Sequence, residues 1–260
     1  MEILYRNPGI EGMIESIMGF QTEGESGFWT EPLYHFYSSL DREYTARLSY
    51  AERTHHIESV LRNEYGKIES ALNEKTDLYN KEWQKRKPQI TQALSDAFEL
   101  DCGGLFNDLV CDVSMNPVSP RFLQERRFEV FWRNSERGAI GVSIHEMIHF
   151  VWFYVWNGLF GDDYSEYERP SMKWIFSEMV VESIMRDERL SSINPYFPRE
   201  HGGCVYPYFF DMKVKGDFIL DLIEDMYSRQ DIKGFMRSGY GLCLDNEAEI
   251  RRHIEESEAS

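Results

Sequence analysis

The chain has 260 residues, 42% of them hydrophobic, 15% aromatic and 28% charged, which gives it ample length for a buried core and excludes a disulfide knot, a lone metal finger or wholesale disorder. Its 45 Asp and Glu against 28 Lys and Arg leave a formal net charge of −17, offset by no basic run beyond Lys85-Arg86-Lys87. Phosphate backbones repel such a chain, so nucleic acid is a poor partner, and most of the carboxylates read as a solvated surface.

Residues 1–6 have no positive segment ahead of an apolar stretch, which points to a cytoplasmic protein. Residues 1–30 form a mixed lead-in, with 24–27 as loop. From about residue 31 to 100 the pattern is helical. Ile57, Leu61, Tyr65, Ile68, Leu72, Tyr79 and Trp83 recur at steps of three, four or seven between charges, predicting one long amphipathic helix that runs until Pro88. A second short helix, with Ile90, Leu94, Ala97 and Phe98 on one face, follows it and stops near Gly103-Gly104. Residues 1–104 are thus expected to be an N-terminal helical region, and 105–260 a separate domain. The His55-His56 pair is expected at the surface, because adjacent helical residues point about 100° apart.

Residues 107–115 and 127–133 are short, rich in Val and aromatics, and separated by Asn116-Pro117 and Ser119-Pro120, so they read as two strands with a turn between them. The mixed faces of 127–133 suit a strand at or near a sheet edge. Residues 139–160 are nearly all apolar and about long enough to span a bilayer, but His145, Glu146 and His149 near the middle would be costly in lipid. A buried core helix fits better. An acidic loop covers 161–170, a helix with Ser171 as N-cap runs to about 189, and a Pro/Gly/aromatic loop follows over 194–208. An amphipathic helix over 217–228 and a charged helix after Asp245 complete a mostly helical α+β chain. The cysteines Cys102, Cys111, Cys204 and Cys243 never form Cys-x-x-Cys, so buried free thiols are expected in place of a thiolate metal site.

The chemistry concentrates in His145-Glu146-Met147-Ile148-His149, an H-E-x-x-H on a predicted helix. Residues i and i+4 share a face, so two imidazoles can converge on one metal with the glutamate beside them. Histidines satisfied by backbone or carboxylate are the alternative. A metal accounts better for two imidazoles and a carboxylate in so apolar a setting. Catalytic zinc takes three protein ligands and keeps a fourth position for water. Glu178 and Glu182, again at i and i+4 on an apolar helix, are the candidates for the third ligand.

H-E-x-x-H followed by E-x-x-x-E on a second helix resembles the gluzincin group of zinc metallopeptidases, which includes the thermolysin-like enzymes and small cytoplasmic relatives. Metzincins are set aside because Trp152 and Val155 stand where they need Gly and His. The resemblance spans about residues 128–188 and implies a zincin-like catalytic core with a small mixed sheet. It implies Zn2+ bound by His145, His149 and Glu178, Glu146 as general base, and Glu182 accepting a hydrogen bond from His145. With a different helix register, Glu178 and Glu182 exchange roles. It implies further that 127–133 is an edge strand pairing with extended substrate, and that Tyr240, His201, Tyr206 or Tyr208 stabilises the oxyanion. Tyr240, in Ser-Gly-Tyr-Gly on an expected flexible turn, has the most similar spacing. Ser177 replaces the thermolysin-like Asn, Glu182 the Asp, and the Gly-x-Met-Glu-Asn exopeptidase signature is absent. The function implied is hydrolysis of peptide or protein substrates. The alternative is a helical interaction protein with a structural zinc or a degenerate site, using the long helix as its working surface.

Overall fold

The computed structural model describes residues 1–195 and 203–259, an α+β chain that is mostly helical with a small mixed sheet. Strand β1 (Ile3–Arg6) leads into helices α1 (Gly9–Gly19), α2 (Gly27–Phe36) and α3 (Arg42–Ala46), followed by the long α4 (Tyr50–Phe98). Then come β2 (Leu109–Ser114), β3 (Arg121–Phe122) and β4 (Arg127–Phe131), and after them α5 (Glu136–Phe160), α6 (Met172–Arg186) and α7 (Glu188–Ser191). A two-stranded hairpin, β5 (Lys213–Val214) with β6 (Asp217–Phe218), precedes α8 (Ile219–Arg229), α9 (Ile232–Asp245) and α10 (Glu247–Glu258).

Helix α4 is one element of 49 residues, about 74 Å long at 1.5 Å per residue, and it does not stop at Pro88 as its sequence suggests. Proline there removes one amide and frees the carbonyl of Gln84, but both residues lie on the exposed side, where water satisfies that carbonyl. The opposite face stays continuous through Trp83, Ile90 and Leu94, all fully buried, and this packing outweighs the loss. Its start is fixed by a capping box, Ser49 Oγ accepting from Glu52 N while the Glu52 carboxylate accepts from Ser49 N.

The four-stranded sheet has the order β1-β2-β4-β3, parallel across β1, β2 and β4 and antiparallel between β4 and β3. Two sequence expectations are corrected here. The strands at 107–115 and 127–133 are parallel neighbours, and the segment between them folds back as β3. Strand β4 is interior: β3 covers Arg127 and Phe128, the amide of Glu129 donates to Pro120 O (2.9 Å), and that of Phe131 donates to Ser119 Oγ (3.2 Å). The edge facing the site is therefore β3.

Nor does the chain divide at residue 104. Strand β1 pairs with β2, Asn80 of α4 exchanges hydrogen bonds with the Tyr5 backbone (2.8 and 3.1 Å), and Tyr79 Oη donates to Asn134 O (2.6 Å) just ahead of α5. The N-terminal region and the rest share one sheet and one core.

Helix α5 packs on the sheet face that carries Ile3, Tyr5, Cys111, Val113, Phe128 and Val130, with Tyr5 Oη and Ser143 Oγ 2.6 Å apart. Among the described residues it is one helix long and apolar enough to cross a membrane, but most of it is enclosed by the rest of the chain. On its other side lie α6 and α9, joined through Trp152, Phe176 and Phe235. The close approach of α9 to α6 depends on Gly239, where a Cβ would sit 2.5 Å from Phe176 Cζ. Gly239→Ala is expected to lower stability by about 1–3 kcal/mol in urea unfolding, the usual cost of overpacking. An unchanged midpoint would mean that Phe176 swings away freely.

Candidate metal centre

Helix α5 begins at Ser135, whose Oγ accepts from Gly138 N (3.1 Å), and α6 at Ser171, which caps Trp174 N (3.1 Å) as expected. The two helices pack so that α5 presents His145, Glu146 and His149 to Glu178 on α6. His149 is fully buried, and Glu146 and Glu178 nearly so.

His145 Nε2 and His149 Nε2 are 3.2 Å apart, Glu178 Oε1 lies 3.4 Å from His149 Nε2, and Glu178 Oε2 lies 3.7 Å from His145 Nε2. Ligands about 2.0–2.1 Å from a tetrahedral zinc are separated by edges of about 3.4 Å, so these three side chains are spaced to hold one ion. Within the described residues they are one set of three ligand groups close enough to do so. Glu146 Oε1 stands 3.9 Å from His145 Nε2, beside this position.

The charges suit a cation. Burial pushes His149 down to about 4, helped by the neighbouring Arg121, which leaves its imidazole neutral and free to ligate. Burial opposes ionisation of Glu178, yet the two histidines and Arg121 together hold it well below the usual carboxylate range. For His145, burial is outweighed by Glu178 and Glu146, and its pKa is raised, so a metal there competes with a proton. Among the described residues, the buried His149 Nδ1 has no hydrogen-bond partner, unlike most metal-bound histidines, whose second nitrogen is held.

Arg121 was not legible as a site residue. In β3 it pairs in register with Phe128, whose side chain faces α5, so Arg121 faces α5 as well. Its Nη1 donates to Glu146 Oε2 (3.0 Å) and its Nη2 to Glu178 Oε1 (3.4 Å). A strand of two residues carries no periodic signal, and nothing local in Ser-Pro-Arg-Phe announces this reach.

The cluster opens into a cavity of about 780 Å3, where Phe20, Trp29, Trp174 and Tyr206 form an aromatic wall. Of the expected oxyanion donors, Tyr206 lines this cavity. Tyr208 is buried outside its lining, its ring stacked on that of Tyr206. Tyr240 is not on a turn: it lies within α9, packed on Trp156, Phe160 and Phe176, and does not line the cavity. The two glycines beside it suggest a turn locally, but packing of α9 on α6 keeps the segment helical. His201 lies outside the described residues. Glu182 is buried one turn beyond Glu178, with Arg186 3.8 Å away, and among the described residues the carboxylates within 4 Å of His145 Nε2 are those of Glu178 and Glu146.

All four cysteines are free thiols, three of them buried and Cys204 partly exposed at the cavity wall. No family model matches the chain, and neither does any curated protein or solved structure.

Proposed function

We propose that the protein is a zinc-dependent metallopeptidase of gluzincin type. The observation that carries this reading is the convergence of His145, His149 and Glu178 at tetrahedral spacing, with Glu146 beside them on the floor of a cleft large enough for a peptide. Two imidazoles and a carboxylate favour zinc over the harder, oxygen-seeking cations. When bound, zinc would supply Lewis acidity, polarising a carbonyl and lowering the pKa of water towards neutrality. Glu146 takes the proton of the attacking water and passes it to the leaving amine. The free side of β3 offers backbone to an extended substrate, and the aromatic wall offers a subsite for an apolar side chain. Free thiols throughout fit work in the reducing cytoplasm, and the net charge of −17 fits a protein that avoids nucleic acid.

Elemental analysis of the purified protein tests the metal. About one zinc per chain is expected, falling below about a tenth in His149→Ala because a ligand is lost. Zinc retained at full stoichiometry by that variant would sink the reading. A second reading, a non-catalytic interaction protein, is favoured by one observation: Arg121 gives both Glu146 and Glu178 an ion-pair partner from within the chain, offsetting one of their two charges. Its working surface would be the exposed side of α4.

A further inference from the structure

We propose that Arg121 is a catalytic residue, donating a hydrogen bond to the carbonyl oxygen of the scissile peptide as that oxygen becomes negative; this rests on the peptidase reading above. The hydrolysis needs such a donor, and the tyrosine with the expected spacing, Tyr240, packs among Trp156, Phe160 and Phe176. Arg121 instead reaches the reaction centre itself, within 3.0 Å of the general base and 3.4 Å of a metal ligand.

Three features make it a donor to substrate as well as a counter-ion. Each Nη carries two hydrogens, so its two contacts leave two more, and the Nε hydrogen, for a ligand in the cavity that Arg121 lines. It holds Glu146 by Oε2, while Oε1 is the oxygen nearest His145, so the base keeps one oxygen for the water. Its side chain is only 9% exposed, and a guanidinium in so dry a place interacts with a developing oxyanion more strongly than one in water.

The step balances. Water loses a proton to Glu146 Oε1 as its oxygen bonds to the carbonyl carbon. The C=O π pair moves onto the carbonyl oxygen, which accepts from an Arg121 N–H. That pair then returns, the C–N bond breaks, and the amine leaves with the proton from Glu146. Arg121 stays protonated throughout.

The test uses the full chain with zinc added, as parent, Arg121→Ala, Arg121→Lys and Tyr206→Phe. Kinetics on a quenched fluorescent peptide are read together with zinc affinity from competition with a chromophoric chelator. Arg121→Ala should lose about 100-fold or more in kcat, the usual effect of removing one oxyanion donor, with KM changed only a few-fold. Its zinc affinity should be unchanged or tighter, because a positive charge beside the ligands has gone. Added guanidinium should restore part of the rate, and Arg121→Lys should recover less than the parent because a point charge replaces the planar fork. Tyr206→Phe should lose less than Arg121→Ala. A larger loss in Tyr206→Phe, full activity in zinc-loaded Arg121→Ala, or a loss of rate that merely follows weakened zinc binding would each overturn the assignment while leaving the peptidase reading intact. A zinc-loaded parent that cleaves no peptide overturns both.

Discussion

Glu146→Gln is expected to lower kcat for peptide hydrolysis by about 100- to 10,000-fold while leaving zinc at one per chain. The amide is close in shape to the carboxylate and can still accept from Arg121 Nη1, now 3.0 Å from Glu146 Oε2, so the side chain has reason to stay in place. What it loses is the ability to take a proton from water. Because Glu146 is not among the three groups spaced to ligate, metal content should not follow activity. Kinetics and elemental analysis on the same preparation separate the two quantities. In a non-catalytic interaction protein the substitution would leave partner binding unchanged, and there would be no peptide hydrolysis to lose. A Glu146→Gln protein that hydrolyses peptide at the parental rate would remove Glu146 from the mechanism.

The parts of this site that could be read from sequence are those whose geometry is local. His145, Glu146 and His149 sit within five residues of one helix, so the 3.6-residue repeat alone places both imidazoles on one face. Glu178 was legible for a related reason, as a carboxylate on a second helix too apolar to be solvated, although its meeting with α5 is a matter of packing. Arg121 lies on the other side of that boundary. Its position depends on the register of a two-residue strand against β4, and register is a tertiary property. The same limit explains the rest. Four residues of β1 gave too short an alternation to detect, yet they join the N-terminal region to the sheet. Pro88 and the Gly-Tyr-Gly at 239–241 are local breaking signals overridden by burial on the other face of α4 and against Phe176.

Buried ionisable groups also occur away from the candidate metal centre, on the sheet face turned from α5, and there they should make stability depend on pH. Glu129 of β4 is 1% exposed and stands in register with Asp112 of β2, which is 2% exposed. Asp112 pairs with Arg6 (2.6 Å) and Arg127 (3.3 Å), whereas among the described residues the ion-pair partner of Glu129 is Arg127 alone, at 3.4 Å. Burial, and after it the charge of Asp112, push the Glu129 carboxyl from 4.5 up to about 7, against the pull of Ser16, Ser114 and Arg127.

Between those two values the folded chain keeps a proton that the unfolded chain has released. Folding then binds protons, so this residue's contribution falls as pH rises through the window, and the full penalty, at most about 3 kcal/mol, is present above pH 7. Glu129→Gln cannot ionise and escapes the penalty. Its stability relative to the parent should therefore rise by about 1–3 kcal/mol between pH 5 and pH 8.5, read from urea midpoints and slopes at each pH. The absolute difference at pH 5 can have either sign, since the amide and the protonated carboxyl offer different hydrogen bonds to Ser16, Ser114 and Arg127; the change with pH carries the argument. A constant difference across that range would mean that Arg127 keeps Glu129 ionised in the folded protein, and that the carboxylates of β2 and β4 share its charge at no cost.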